Sequence, residues 1–283
     1  MEYVMAELLQ KARKGKYAVP AICVSNMESV LACFIAADRA GSPIIIQSAY
    51  SEMEPQMISC RELAGLIRVF GEKYPKVPYA IHLDHGMSER ECMDALEETF
   101  PSIMFDGSSL AFEENMEITK RLKKEAGKNR TVEAEVGKVG GEEGGVPGGE
   151  YHIVKSNPDH LATFVRETGV DAIAVSIGNI HGCHGIEKHT PELDFRLLKQ
   201  LCSVCDIPLV LHGASGIPDG DIHTAVSLGI CKINYYTQLY NVYMECVKQY
   251  SDCTMEECMG NATKVLADEI EKLIRVCGSA DKA

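Results

Sequence analysis

Hydrophobic positions along this chain fall into two alternating kinds of segment. Short, near-continuous runs rich in β-branched residues occupy 17–24, 43–47, 79–83, 102–106, 132–136, 172–177, 208–212 and 231–234. They lack the strict apolar–polar alternation of a half-solvated sheet and read as parallel strands buried on both faces. Between them lie longer stretches with apolar residues at helical spacing, at 29–40, 62–73, 88–99, 113–127, 158–168, 194–203 and 219–228. Repeated strand–helix units in 283 residues predict an α/β fold, a closed (β/α)8 (TIM) barrel spanning 1–283 as a single domain. An open doubly wound sheet is the competing architecture, but no Gly-x-Gly-x-x-Gly follows the first strand. Helical stretches at 240–250 and 255–276 predict extra C-terminal helices, packed on the barrel or on a second subunit.

One segment breaks the alternation. Residues 137–151 read GKVGGEEGGVPGGEY, too rich in glycine for a helix or a strand. Their position after the fifth strand predicts a long loop over the barrel mouth. The acidic pair Glu142-Glu143 within it predicts a lid with a chemical role rather than a plain surface insertion.

Composition narrows what such a barrel handles. The formal net charge is -13, which argues against nucleic acid or an anionic membrane as a partner. An anionic small molecule must then be captured by local donors such as backbone N–H groups. No apolar run approaches the roughly 20 residues needed to cross a bilayer. The N-terminal MEYVMAELLQKARKG has the pattern of an amphipathic helix, not of a signal peptide. The 12 cysteines are scattered among apolar neighbours, as reduced thiols in a cytoplasmic protein would be. Cys202 and Cys205 form an isolated Cys-x-x-Cys, and Cys253 and Cys258 lack the spacing of the second pair that a structural zinc needs.

In this fold, polar groups at the C-terminal ends of strands are where chemistry is found. Strand three ends in His82-Leu83-Asp84-His85, strand four in Asp106-Gly107-Ser108 and strand five in Glu133-Ala134-Glu135. Strand six runs into Asn179-Ile180-His181-Gly182, strand seven ends in His212-Gly213-Ala214-Ser215-Gly216, and strand eight in Asn234. Separate strands thus bring a histidine to one rim. Imidazole nitrogen suits zinc, and three protein ligands with an open position suit a catalytic ion, so His85, His181 and His212 are the predicted ligands. Alternation puts His82 and His85 on opposite faces, and His85, last in the run, is freer to turn into the mouth. His82 is expected to be buried, Glu135 to be an additional or transient ligand, and Asp106 to stand behind the ligands. Gly182, Gly213, Ser215 and Thr237 follow strands six to eight, where backbone N–H groups hold phosphate in many barrels, with Lys188 or Lys232 assisting.

These motifs resemble the class II, metal-dependent fructose-bisphosphate and tagatose-bisphosphate aldolases. The resemblance runs in order through YAVPAICVSNMES, SPIIIQ, HLDH, FDGSSLAFEENM, VEAEVGKVGGEE, TGVDAIAVSIGNIHG, PLVLHGASGIP, LGICKINYYT and IRVCGSADKA. It implies a zinc enzyme that cleaves a ketose phosphate to dihydroxyacetone phosphate and an aldehyde, and runs the reverse condensation. By resemblance the metal ligands fall on His85, His181 and His212, with Glu135 as the additional one. The proton donor to the C4 oxygen falls on Asp84, the glutamate that moves a proton of dihydroxyacetone phosphate on Glu143, and a substrate-contacting asparagine on Asn234. Zinc would stabilise the enediolate as a Lewis acid, in place of a Schiff-base lysine. A monovalent cation, sodium or potassium, is implied near the phosphate. A homodimer or homotetramer through the C-terminal helices is expected.

The chain also departs from that pattern. Cys183-His184-Gly185 follow His181-Gly182 where the family has an aromatic residue and a lysine, Tyr235-Tyr236 precede Thr237, and Cys23 stands where asparagine is expected. Between the last two helices, 250–255 reads YSDCTM, without the arginine that reaches a distal phosphate in relatives acting on bisphosphates. A second expectation is therefore an aldolase whose substrate has no distal phosphate. A metal-dependent barrel hydrolase, the alternative from another class, would be expected to show His-x-His in the first strand, and 17–24 has none.

Overall fold

Eight parallel strands close into a barrel in the computed structural model, which describes residues 1–141, 153–182 and 192–283. Glu142, Glu143, Cys183 and Lys188 lie outside the described residues. The strands are β1 Val19–Cys23, β2 Ile44–Ser48, β3 Tyr79–Gly86, β4 Ser102–Phe105, β5 Thr131–Val136, β6 Ala172–Val175, β7 Leu209–Leu211 and β8 Ile230–Tyr235. Each pairs with its sequence neighbour, and β8 closes onto β1 in a register running from Val19↔Lys232 to Ile22↔Tyr235. The (β/α)8 barrel expected from the apolar runs is therefore the fold.

Alternation within the strands sorts the core into two shells. One set of strand residues, among them Ile22, Ile46, Ile81, Phe105, Ile173 and Leu211, faces the surrounding helices. The other set, including Val19, Ala21, Ile45, Ala80, Met104, Ala174 and Val210, joins Met5, Leu8, Leu9 and Ala12 of helix α1 (Met5–Gly15). The α1 segment lies against strand starts, with Ala6 N–H donating to Thr131 Oγ1 at 3.0 Å and Tyr3 N–H to the Tyr79 carbonyl at 2.8 Å. The apolar stripe predicted at the N-terminus is thus buried at the end of the barrel opposite the polar strand ends.

At the other end, local backbone geometry aims the side chains. β3 runs on past its apolar stretch, and its register against β4 shifts between Leu83 and Gly86. Within that shift His85 takes a left-handed φ of 39°. Such a backbone costs a non-glycine residue about 1–2 kcal/mol and is retained where its surroundings demand it. It breaks the alternation of HLDH and turns His85 toward the barrel axis. After β2 a short helix, α3 (Tyr50–Met53), and a 3-10 turn (Glu54–Gln56) form where the periodicity predicted only a connection.

The expectation that 137–151 contains no strand is corrected in its first part. Gly140–Gly141 pair in parallel with Ile180–His181, and Lys138 bridges Val154. Glycine is what permits the pairing: Gly141 has φ 103°, and a Cβ there would lie 2.1 Å from the His181 carbonyl oxygen. Beyond the barrel, α10 (Thr237–Gln249) is followed by α11 (Met255–Val276), which Thr254 caps by accepting from Glu257 N–H. α11 packs along α2 (Met27–Ala40) and buries Leu266, Ala267, Ile270 and Ile274, so the extra helices are part of the barrel wall. Among the described residues no helix is long and apolar enough to cross a membrane.

Candidate metal centre

His85 from the bent end of β3, His181 from the short ladder and His212 directly after β7 converge at the barrel mouth. Their ligand atoms all lie within 4.8 Å of one another, with His85 and His212 buried and His181 half-buried. Carboxylates fix the rings from behind. His85 Nδ1 lies 3.2 Å from Asp106 Oδ2, and His212 Nε2 lies 2.9 Å from Glu133 Oε1. A neutral imidazole that donates one nitrogen to a carboxylate presents a lone pair on the other. The other two nitrogens, His85 Nε2 and His212 Nδ1, face each other at 2.8 Å, with Asn234 Nδ2 3.2 Å from the latter. Two opposed lone pairs at that distance repel unless a proton or a cation lies among them. A donor set of three imidazoles, two of them with tautomers fixed by carboxylates, therefore fits a divalent ion of the zinc type. His85 also forms a second, fully buried group with Asp106 and Glu135. Glu135 Oε1 accepts Val139 N–H at 3.0 Å, which holds the side chain beside His85.

Below the histidines lies a polar layer that sequence patterns did not reveal. Lys232 Nζ is 2.9 Å from Glu133 Oε2, His82 Nε2 is 3.6 Å from the same oxygen, and His82 Nδ1 is 2.7 Å from Ser102 Oγ. Glu133, Lys232, His82 and His212 are all 0% exposed. Burial alone would raise the Glu133 carboxyl, but the Lys232 ammonium and the His212 hydrogen bond outweigh it and hold the group well below the usual carboxylate range. Burial, then the charge of Lys232, pushes His82 down to about 3, so the ring is neutral. The expectation that Lys232 assists in holding an anion is corrected: its ammonium is used up inside the barrel, where an unpaired charge would be very costly. The expectation for His82, burial, holds.

Asp84 stands beside the histidines, 5% exposed, with Oδ1 3.8 Å from His85 Nε2. Gln47 Nε2 donates to its Oδ2 at 2.7 Å, Asn234 Nδ2 to its Oδ1 at 3.0 Å, and the Cys23 thiol to Oδ2 at 3.3 Å. Burial acts to raise the Asp84 carboxyl, but His85, His212 and Lys232 together keep it below the usual range. Gln47 was legible only as part of a motif. Cys23 occupies the position where asparagine was expected and offers a weaker donor to the same carboxylate.

A cavity of about 390 Å³ opens above these groups. Asp84, His85, His181 and Asn234 line it, and so do Gly182, Gly213, Ser215 and Thr237, which the structure brings to one side. Gly182 and Gly213 have φ of 64° and 63°, and a Cβ on Gly213 would lie 2.4 Å from the Ile180 carbonyl oxygen. Thr237 opens α10, so the helix N-terminus and its N–H groups face this side. Ser215 Oγ accepts the next N–H of that helix, from Gln238, at 3.3 Å. Of the sequence-predicted site residues, Glu142, Glu143 and Lys188 lie outside the described part.

The layer beneath the ligands has a measurable consequence. Glu133→Gln removes the anion that fixes the His212 tautomer, and metal affinity is expected to fall about 10–100-fold. Competition with a chromophoric chelator measures this directly, and an unchanged affinity would show that His212 needs no such support.

Comparison with known proteins agrees with this geometry. The family model described as fructose-bisphosphate aldolase class-II matches residues 3–282. The chain is 38% identical to a fructose-bisphosphate aldolase of Mycoplasma genitalium, over 98% of this chain and 98% of the relative. It is 34% identical to a sulfofructosephosphate aldolase of Alkalicoccus urumqiensis, over 100% of this chain and 99% of the relative. Among solved structures, the YdjI aldolase of Escherichia coli K12 superposes with a TM-score of 0.89 at 32% identity, covering 100% of both chains.

Proposed function

We propose, because this chain belongs to the class II fructose-bisphosphate aldolase family, that it is a zinc-dependent aldolase of ketose phosphates, built as one barrel domain. The reaction is reversible cleavage of the C3–C4 bond to dihydroxyacetone phosphate and an aldehyde. The observation that supports it most is the convergence of His85 Nε2 and His212 Nδ1, each with its partner nitrogen on a carboxylate, next to buried Asp84. His85, His181 and His212 would hold the ion, with Glu135 as an additional ligand. Once bound there, zinc supplies Lewis-acid stabilisation of negative charge on the substrate's carbonyl and hydroxyl oxygens.

The chain's own groups move the protons. Asp84, kept ionised by its surroundings, takes the proton of the C4 hydroxyl as the C3–C4 bond breaks, and returns it in condensation. Gln47, Cys23 and Asn234 hold its carboxylate for that transfer. Glu143, with Glu142 beside it in sequence, is assigned the proton delivered to C3 that completes dihydroxyacetone phosphate. Gly182, Gly213, Ser215 and Thr237 hold the phosphate through backbone N–H and hydroxyl donors, aided by the N-terminus of α10 and a sodium or potassium ion. Asn234 orients the reacting carbons. We place the enzyme in the cytoplasm as a homodimer or homotetramer.

A retro-aldol screen of metal-loaded protein against fructose and tagatose bisphosphates and their 1-phosphates tests this assignment. Release of dihydroxyacetone phosphate is expected, with activity lost to chelator and no covalent trapping by borohydride plus substrate. If no ketose phosphate is cleaved while metal analysis shows a bound ion, the chain is not an aldolase of this kind. Borohydride trapping would point to a lysine mechanism instead.

A further inference from the structure

The two ends of the cavity are chemically unlike. One end has the glycine turns and the α10 N-terminus. The other is built by the loops after β1 and β2 together with Tyr236, and presents Ser25, Ser51, Glu52 and Gln56. No lysine or arginine lines either end among the described residues, and Glu52 is the only carboxylate there besides Asp84.

Glu52 is held in place. Its Oε2 accepts Ala49 N–H at 3.0 Å and the Ser48 hydroxyl at 3.0 Å, which anchors the side chain at the start of α3. Both bonds use the same oxygen, and Oε1 has no partner among the described residues. Burial pushes the Glu52 carboxyl up to about 7, with the Asp84 charge adding to the rise. Next to it, Ser51 Oγ is buried and has no hydrogen-bond partner. A buried hydroxyl without a partner forgoes a hydrogen bond that a ligand can supply.

We propose that Glu52 and Ser51 read the distal end of the substrate, favouring an aldehyde fragment that ends in uncharged hydroxyl groups over one that ends in phosphate. This rests on the aldolase assignment, since it places the first phosphate at the glycine-lined end. In its ionised form Glu52 meets a phosphate dianion with like charge, and among the described residues no lysine or arginine lines this end to offset it. A sugar hydroxyl instead donates to Oε1 and accepts from Ser51 Oγ, so that both groups find partners. Glu52 is thus a specificity-determining residue in a place where the periodicity of the sequence predicted only a connecting loop. Its capping of α3 is compatible with this role but does not require the cavity or the orphaned hydroxyl.

The test compares kcat/KM for a ketose 1-phosphate and the matching 1,6-bisphosphate, using metal-loaded wild type, Glu52→Gln and Ser51→Ala. Wild type is expected to favour the 1-phosphate by about tenfold or more, the ratio given by roughly 1.4 kcal/mol of discrimination. Glu52→Gln should shift that ratio toward the bisphosphate by about the same factor, mainly through KM. Ser51→Ala should lower kcat/KM for the 1-phosphate while leaving the bisphosphate nearly unaffected. A second measurement needs no variant: a hexitol 1-phosphate should inhibit wild type more tightly than the hexitol 1,6-bisphosphate. Equal or better use of the bisphosphate by wild type overturns the proposal, as does a Glu52→Gln variant that is less stable but has an unchanged substrate ratio. Failure to release dihydroxyacetone phosphate from either substrate would instead remove the aldolase assignment on which it rests.

Discussion

Asp84→Ala is expected to lower kcat for retro-aldol cleavage by about 10²–10⁴-fold, the usual weight of a positioned acid–base group, while the protein keeps its metal. The two halves of that outcome have separate structural causes. Retention follows because the rings of His85 and His212, proposed ligands, are oriented from behind by Asp106 and Glu133, not by Asp84. Loss of cleavage follows because no other described carboxylate lies between His85 and Asn234, where the C4 oxygen would sit. Steady-state kinetics with metal analysis on the same preparation checks both halves. Loss of the ion together with activity would make Asp84 a ligand rather than the proton carrier. A stability decrease of about 1–3 kcal/mol should accompany the change, because Gln47 and Asn234 lose the acceptor they were built around.

Lys232→Met should be strongly destabilising. It leaves the Glu133 carboxylate fully buried without its ammonium, a situation that costs about 3–5 kcal/mol. Urea unfolding at neutral pH with chelator present, so that metal binding does not enter the comparison, measures the loss. The Lys232→Met/Glu133→Gln double variant should recover a large part of it, since a neutral amide tolerates the site better than an unpaired anion. The pair also predicts a pH signature. Because the Glu133 carboxyl is held below its ordinary value in the folded protein, its contribution is in place above the unfolded pKa of about 4.3 and is lost as pH falls toward the lowered native value. The double variant should lack that acid-side loss. If single and double variants are equally unstable, the ion pair is not what holds this layer together.

Lys232 also shows where sequence reasoning runs out. The strands were legible because both faces of a parallel barrel are buried, so each appears as a continuous apolar run. His85 was separable from His82 by alternation, and the bent backbone at Leu83–Gly86 supplies the turn that alternation alone could only suggest. Glu133 and Glu135 share one face of β5 by the same period of two. Yet only one of them sits beside the His85–Asp106 group, while the other drops below it to meet Lys232 and His212. Glu133 and Lys232 are 99 positions apart in sequence, and nothing local marks them as partners until the barrel closes. Glu52 was hidden for a different reason. A helix as short as Tyr50–Met53 has no detectable period, so the residue looked like part of a connection. The glycines were the reverse case: read as loop formers at 137–151, they turn out at Gly141 to permit a strand contact that any side chain would block.

That contact bears on how the barrel can be re-engineered. Because Gly140–Gly141 are zipped to Ile180–His181, the connections leaving the fifth and sixth strands share one root, and that root contains His181, one of the three histidines proposed to hold the ion. They are not independent modules. A graft that replaces the fifth connection with a foreign one, bringing any residue other than glycine at 141, would push on the His181 carbonyl and displace an imidazole from its neighbours. Transplants that move the two connections together should keep the ion, whereas transplants of either one alone should lose it even when every histidine is retained.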